Sequence, residues 1–364
     1  MSLSAGIIGL PNVGKSTLFN ALSTATAESE NYPFCTIDPN VGVIQVPDPR
    51  LQTIAEHIDP EEAIAAAVEF LDIAGLVRGA SEGEGLGNKF LANIREVDAL
   101  VHVVRCFEDD DIAHVEGSVD PKRDVEIIET ELILADLATL ESRLEKAKRN
   151  AKGDDKEAAA RVAVLEKVKT ALDEGRPARS VELEEREDEL LHDSHLLTRK
   201  PVLYVANVSE AELLEDSEHV EALRELAETE GAEIIKVCAS LESELSELDD
   251  EGKRAMLAEF GLEEPALDRL IRRTYELLGL QTFFTIANDK LRAWPLPVGA
   301  TAPEAAGVVH SDFQENFIKA EVFSVEDLEE CGDEAAIRDA GRMRIEGSDY
   351  VVQDGDILRI RHDA

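Results

Sequence analysis

The run Gly9-Leu10-Pro11-Asn12-Val13-Gly14-Lys15-Ser16 has the spacing GxxxxGK[ST], directly after an apolar run that predicts a strand over Gly6 to Gly9. The helical run Thr17 to Leu22 follows at once. No other feature constrains the fold as tightly, because a glycine turn wraps backbone N–H groups around a phosphate only between a strand and a helix N-terminus. The motif assigns Asn12, Val13, Gly14, Lys15, Ser16 and Thr17 to a bound nucleotide, with Lys15 reaching the β- and γ-phosphates and Ser16 giving a hydroxyl to Mg²⁺.

A second apolar run, Val68 to Asp72, continues as Ile73-Ala74-Gly75 and completes a D-x-x-G pattern. Asp72 then holds a magnesium water, and the Gly75 amide senses the γ-phosphate, a catalytic contribution beside that of Lys15. Between the two motifs, Thr36 offers the metal a second hydroxyl; a threonine beside Pro33 is equally an ordinary turn residue, and both readings stand. Gly79, Gly83, Gly85 and Gly87 follow Asp72, a placement that predicts a switch segment ordered by γ-phosphate contact.

Alternation of short apolar runs with helical stretches over the first ~120 residues predicts an α/β domain with a parallel sheet. From Val125 the period changes. Leu137, Leu140, Leu144 and Ala147, then Val162, Leu165, Val168 and Leu172 across the break Gly153-Asp154-Asp155, predict two helices folded back as an antiparallel, coiled-coil arm. Strand character returns at Pro201 to Asn207 and at Ala232 to Ala239. Beyond Gly279 the chain is strand-rich, over Phe283 to Ala287, Phe317 to Ser324, Arg342 to Ile345 and Ile357 to Arg361. The expected partition is a P-loop nucleotide-binding domain over 1–124 and 200–279, a helical arm over 125–199, and a small α+β domain over 280–364.

Charge limits the partners. With 78 acidic against 37 basic residues the chain carries a formal net charge of -41, which disfavours bulk attraction to nucleic acid or anionic membrane. Any RNA contact must be local. Arg342 and Arg344, and Arg359 and Arg361, alternate on predicted strands and form a candidate basic face; ion pairs with neighbours such as Asp354 and Asp356 are the competing reading. The acidity fits either a salt-rich cytoplasm or solvated helix faces. Cys35, Cys106, Cys238 and Cys331 have no metal-ligand spacing and read as reduced thiols. The absence of a basic n-region, of an apolar h-region and of any stretch near ~18 apolar residues predicts a cytoplasmic protein without membrane association.

Gly9 to Thr17, Asn31 to Asn40 and Asp72 to Asn88 together resemble the Obg-related P-loop NTPases. With the arm, Asn207-Val208-Ser209-Glu210, Gly299 to Ala302 and His310 to Phe313, the chain more specifically resembles the YchF branch, the bacterial counterparts of the eukaryotic Obg-like ATPases, over nearly its whole length. The resemblance implies a G-domain-like core with an inserted arm and a C-terminal β-grasp domain of TGS type. It further implies a monomeric Mg²⁺-dependent ATPase, with the ribosome or ribosomal RNA as partner and no DNA specificity.

Guanine-specific sites of this fold use N-K-x-D. Here Val208 stands for the lysine and Glu210 for the aspartate, so the packing stem is shortened and the carboxylate is one methylene too long, which weakens guanine discrimination. The resemblance implies ATP over GTP, with the base held near Asn207, Val208, Glu210, Ala239, Ser240 and Leu241. Leu76 follows D-x-x-G where many switch GTPases carry a water-orienting Gln. The resemblance implies that His114 takes that role, although a loop histidine is equally an exposed bystander. A GTPase switch of the ribosome-assembly type, and a nucleotide-gated RNA or protein interaction module with incidental hydrolysis, remain the alternatives.

Overall fold

The computed structural model describes residues 3–25, 40–73, 86–150 and 156–363. Strand β1 (Ser4–Ile8) enters α1 (Lys15–Ala25), and the chain resumes with β2 (Val41–Gln45), α2 (Pro49–Ile58), β3 (Glu62–Ile64) and β4 (Ala67–Asp72). Helix α3 (Leu86–Glu96) and β5 (Ala99–Arg105) precede the long α4 (Pro121–Asn150), α5 (Lys156–Asp173) and the short α6 (Glu185–His192). Then come β6 (Val202–Asn207), α7 (Glu218–Glu230), β7 (Glu233–Val237), α8 (Ala239–Ser246), α9 (Asp250–Glu259) and α10 (Ala266–Leu277). The C-terminal part comprises β8 (Leu280–Ala287), β9 (Lys290–Pro297), α11 (Ala302–Val309), α12 (Ser311–Glu315), β10 (Phe317–Ser324), α13 (Val325–Cys331), α14 (Glu334–Asp339), β11 (Arg344–Glu346) and β12 (Asp356–His362).

The chain divides into two units: Met1–Gly42 with Phe70–Leu270, and Val43–Glu69 with Ile271–Ala364. One sheet has the order β2-β4-β1-β5-β6-β7, with β1, β5, β6 and β7 parallel. Every residue of β1, β5 and β6 is buried, the continuous pattern of parallel strands covered on both faces. Each fully buried Val, Leu or Ile there contributes about 1.5–3 kcal/mol relative to exposure. Because the strand order reverses at β1, a crevice opens at its carboxyl end, where such sheets take ligands.

The arm follows the expected pattern. Helix α4 starts at Pro121, which lacks the N–H that a first turn leaves unbonded, and ends in Lys148 and Arg149 beside its negative dipole end. Leu140 and Leu144 bury against Leu165, Val168 and Leu172 of α5. Buried Asp136 accepts from the Leu197 and Thr198 amides and from the Thr198 hydroxyl, fixing the returning chain. At the arm's root, Arg179 joins Glu129 and Glu230, each at 2.9 Å, and Glu230 accepts from the Tyr204 hydroxyl on β6.

The second unit holds a sheet of order β11-β10-β12-β8-β9-β3. Strands β8 and β9 form a hairpin through Asn288 and Asp289 at φ 53° and 59°, a left-handed pair that short polar side chains tolerate. Strand β12 runs parallel to β8 and antiparallel to β10. The segment 43–69, which the sequence reading assigns to the nucleotide domain, belongs to this unit: β3 pairs parallel with Lys290 to Arg292 of β9, and Arg50 of α2 binds Asp48 and Asp354. Strand β9 escapes pattern reading because it contains Pro295 and Pro297. Both lie beyond the residues that β3 pairs, where a missing donor leaves no ladder bond unmade on that side. Among the described residues, no helix is long and apolar enough to cross a membrane.

Candidate nucleotide site

The glycine loop is held in a conformation that only its own residues allow. Gly9 (φ 153°) and Gly14 (φ 99°) sit where a Cβ would come within 2.4 Å of the Val103 carbonyl and 2.2 Å of Asn207 Nδ2. Asn12, at φ 63°, donates from Nδ2 to the Ala113 carbonyl at 3.1 Å and so ties the loop to the segment after β5. Lys15 is only 7% exposed, and its ammonium donates to the Leu10 carbonyl at 2.7 Å. Burial lowers its pKa from 10.5 to about 8, opposed by the charge of Asp72. The Asp72 carboxyl is raised by burial in turn, with Lys15 opposing. Among the described residues this ammonium, which has three donors, uses one, on a neutral carbonyl, and a phosphate is a ligand suited to the others. The Ser16 and Thr17 side chains stand exposed on the first turn of α1. A serine hydroxyl and the Asp72 carboxylate are hard oxygen donors of the kind Mg²⁺ takes.

On the other side of β1, Asn207 ends β6 at 4% exposure. Its Nδ2 donates to the Val13 carbonyl at 2.8 Å, and its Oδ1 accepts from the Ala239 amide at 3.1 Å. One side chain thus joins the glycine loop, β6 and the start of α8. Val208, Ala239 and Leu241 are buried beside it, whereas Ser240 is exposed with its Oγ 3.2 Å from Cys238 Sγ. The Glu210 side chain is exposed, and among the described residues it has no hydrogen-bond partner. The nearby Glu212 carboxylate is already used by the Ser209 amide and hydroxyl.

His114 is held away from solvent. Its side chain is 5% exposed, Nε2 lies 2.8 Å from Asp124 Oδ2, and Nδ1 accepts from the Glu116 amide at 3.1 Å. That network puts the ring proton on Nε2 and occupies the Nδ1 lone pair. Asp124 is 3% exposed at the side chain and is shared with Arg123 at 2.9 Å.

Two residues that sequence reading passed over shape this segment. Arg105, 1% exposed at the end of β5, donates to the carbonyls of Phe107 at 3.0 Å, Ile112 at 2.8 Å and Asp109 at 3.1 Å. A guanidinium spent on carbonyls is a template for a loop, and an arginine closing an apolar strand was the available signal. Asp124 was hidden as an ordinary acid of a helix first turn. Thr36, Gly75, Leu76, Gly79, Gly83 and Gly85 lie outside the described residues.

The candidate basic face of the C-terminal unit is neutralised. Arg342 meets Glu330 at 2.5 Å and Asp327 at 3.2 Å, Arg344 meets Asp356 at 3.0 Å, Arg359 meets Glu334 at 2.7 Å and Arg361 meets Glu321 at 3.3 Å. Asp354, the other expected partner, is taken by Arg50.

Fold and site together define a P-loop nucleoside triphosphate hydrolase. Residues 4–124 match a family described as a 50S ribosome-binding GTPase, and residues 280–363 match the YchF GTPase C-terminal family, described as a protein of unknown function. The ribosome-binding ATPase YchF of Bacillus subtilis is 54% identical over 363 residues, 99% of each chain, and that of Escherichia coli O157:H7 is 50% identical over 98% of each. This chain belongs to the YchF family. The solved structure of the Schizosaccharomyces pombe YchF GTPase superposes with a TM-score of 0.90 at 36% identity, over 99% of this chain and 98% of that one.

Proposed function

We propose that this protein is a Mg²⁺-dependent ATPase that prefers ATP to GTP and acts as a nucleotide-switched, ribosome-associated regulator in the cytoplasm. The observation that carries the base preference is the buried Val208 in place of a lysine, with the exposed Glu210 in place of an aspartate: guanine finds neither a packing stem nor a carboxylate at aspartate reach. Ribosome association rests on the similarity to the ribosome-binding ATPases of Bacillus subtilis and Escherichia coli.

Lys15 and the loop amides of 12–17 bind the phosphates, and Ser16 and Thr36, with Asp72 through a water, would hold the metal. When bound there, Mg²⁺ would offset the negative charge that develops on the phosphates. Hydrolysis joins a water oxygen to the γ-phosphorus as the bond to the β-phosphate bridge breaks. The Gly75 amide would donate to a γ-phosphate oxygen and so sense the triphosphate. His114 orients the water once its bond to Asp124 is released, so turnover is slow until the segment held by Arg105 rearranges.

Calorimetry with Mg²⁺ tests the base preference. ATP is expected to bind more tightly than GTP. Equal affinities, or tighter GTP, would instead support the GTPase-switch reading.

A further inference from the structure

Helices α4 and α5 share an apolar seam that opens at the root. There a groove of about 320 Å³ opens, lined by Glu126, Glu129, Ile133, Leu134, Leu137 and Leu172 among others. Ile133 and Leu172 form a buried floor, while Leu134 is 43% exposed in the middle of a long helix. Among the described lining residues there is no lysine or arginine.

The charged groups of the lining are all carboxylates, and Thr130 adds one hydroxyl. Glu126 is exposed, and Asp173 at the rim is held by Lys169 at 2.8 Å. Glu129 gives one oxygen to Arg179 at 2.9 Å; its other oxygen, Oε1, is shielded from solvent and has no hydrogen-bond partner among the described residues. Burial raises the Glu129 carboxyl, with Arg179 opposing. A shielded acceptor without a donor is unfavourable, and an entering cation or N–H would satisfy it. A second groove farther out on the same helices differs: it is lined by both signs, and its Lys148 already meets Glu166 at 2.7 Å.

We propose that the root groove seats an apolar, lysine- or arginine-bearing segment of a ribosomal protein. The segment's apolar side chains cover Leu134 and Leu137, and its cation reaches Glu126 and the free oxygen of Glu129. RNA is the wrong occupant, since phosphates would meet carboxylates over an apolar floor. The assignment rests on the ribosome-associated reading above.

The test uses the full chain with purified ribosomes and ATP. A benzophenone side chain is introduced at Leu134, and at Lys148 as a control. Irradiation is expected to give, from Leu134 only, an adduct that survives ribonuclease and runs at the size of the chain plus one small basic protein. A ribonuclease-sensitive adduct, or none while the chain still sediments with ribosomes, overturns the groove assignment and leaves ribosome association standing. A chain that fails to sediment removes both together. Independently, Leu134→Asp and Glu126→Lys are expected to weaken sedimentation about tenfold or more, with melting temperature and basal hydrolysis unchanged; wild-type sedimentation of both variants rejects the proposal.

Discussion

In the P-loop unit, Lys15 lies buried with the Leu10 carbonyl as its one hydrogen-bond partner among the described residues, whereas in the C-terminal unit Arg342, Arg344, Arg359 and Arg361 each meet a carboxylate within 3.3 Å. On a chain of net charge -41 the abundance of acids makes pairing the default. Lys15 feels the charge of Asp72 but, among the described residues, touches no carboxylate, so its donors suit an anion that arrives from outside, and a paired cation has little left to offer. The contrast separates ligand site from scaffold without reference to any motif.

The strongest attempt to break it is Lys15→Ala. Hydrolysis is expected to fall about 10²–10³-fold, as when one preorganised charge donor is lost from a transition state, with little change in melting temperature. Near-wild-type turnover in the folded variant would show that Lys15 is not the phosphate ligand.

Acidity probes the same group without mutation. The empty-site pKa of Lys15 is about 8, and phosphate binds the protonated form. ATP affinity is expected to be flat below pH 8 and to fall by up to about tenfold per unit above it. The sign for folding is opposite: the folded pKa lies below the unfolded value of 10.5, so this group's contribution to stability rises as pH climbs from about 8 toward 10.5. Affinity unchanged to pH 9.5 would contradict the assignment.

His114→Ala sharpens the comparison within the first unit. A tenfold drop in kcat, about 1.4 kcal/mol, is expected with ATP affinity unchanged, because the imidazole acts on water and not on ground-state nucleotide. Wild-type kcat with and without ribosomes would reduce His114 to a structural partner of Asp124.

The smallest effect belongs to the second unit. Arg344→Ala leaves the Asp356 side chain, 3% exposed, with Tyr350 and Gln353 but no cation, and is expected to cost about 1 to 2 kcal/mol in denaturant unfolding. Arg361→Ala, on an exposed pair, is expected to stay within about 0.5 kcal/mol. Equal losses would mean that burial of the acid does not govern these pairs.

The sequence made the glycine loop, the central parallel strands and the two arm helices legible because each rests on a local rule: a fixed glycine spacing, a buried apolar run, a three-to-four repeat. What stayed hidden depends on partners distant in the chain. Strand β3 is three residues long and has meaning only beside β9. Arg105 reads as a strand end until the carbonyls of its loop converge on it. Alternation of arginines was visible, but the acids that neutralise them come from other elements, and no periodicity records them. His114 was suggested by resemblance alone; its pairing with Asp124 is a tertiary fact.

The strut from Asn207 to Val13 spans 194 positions of chain, with the whole arm between its ends. During synthesis at about 5–20 residues per second, the glycine loop therefore waits about 10 to 40 s before the residue that braces it is even made. A nascent chain that has emitted β1, α1 and β5 carries the complete motif yet lacks β6. The brace on the glycine loop is therefore completed only after more than half of the chain has been translated.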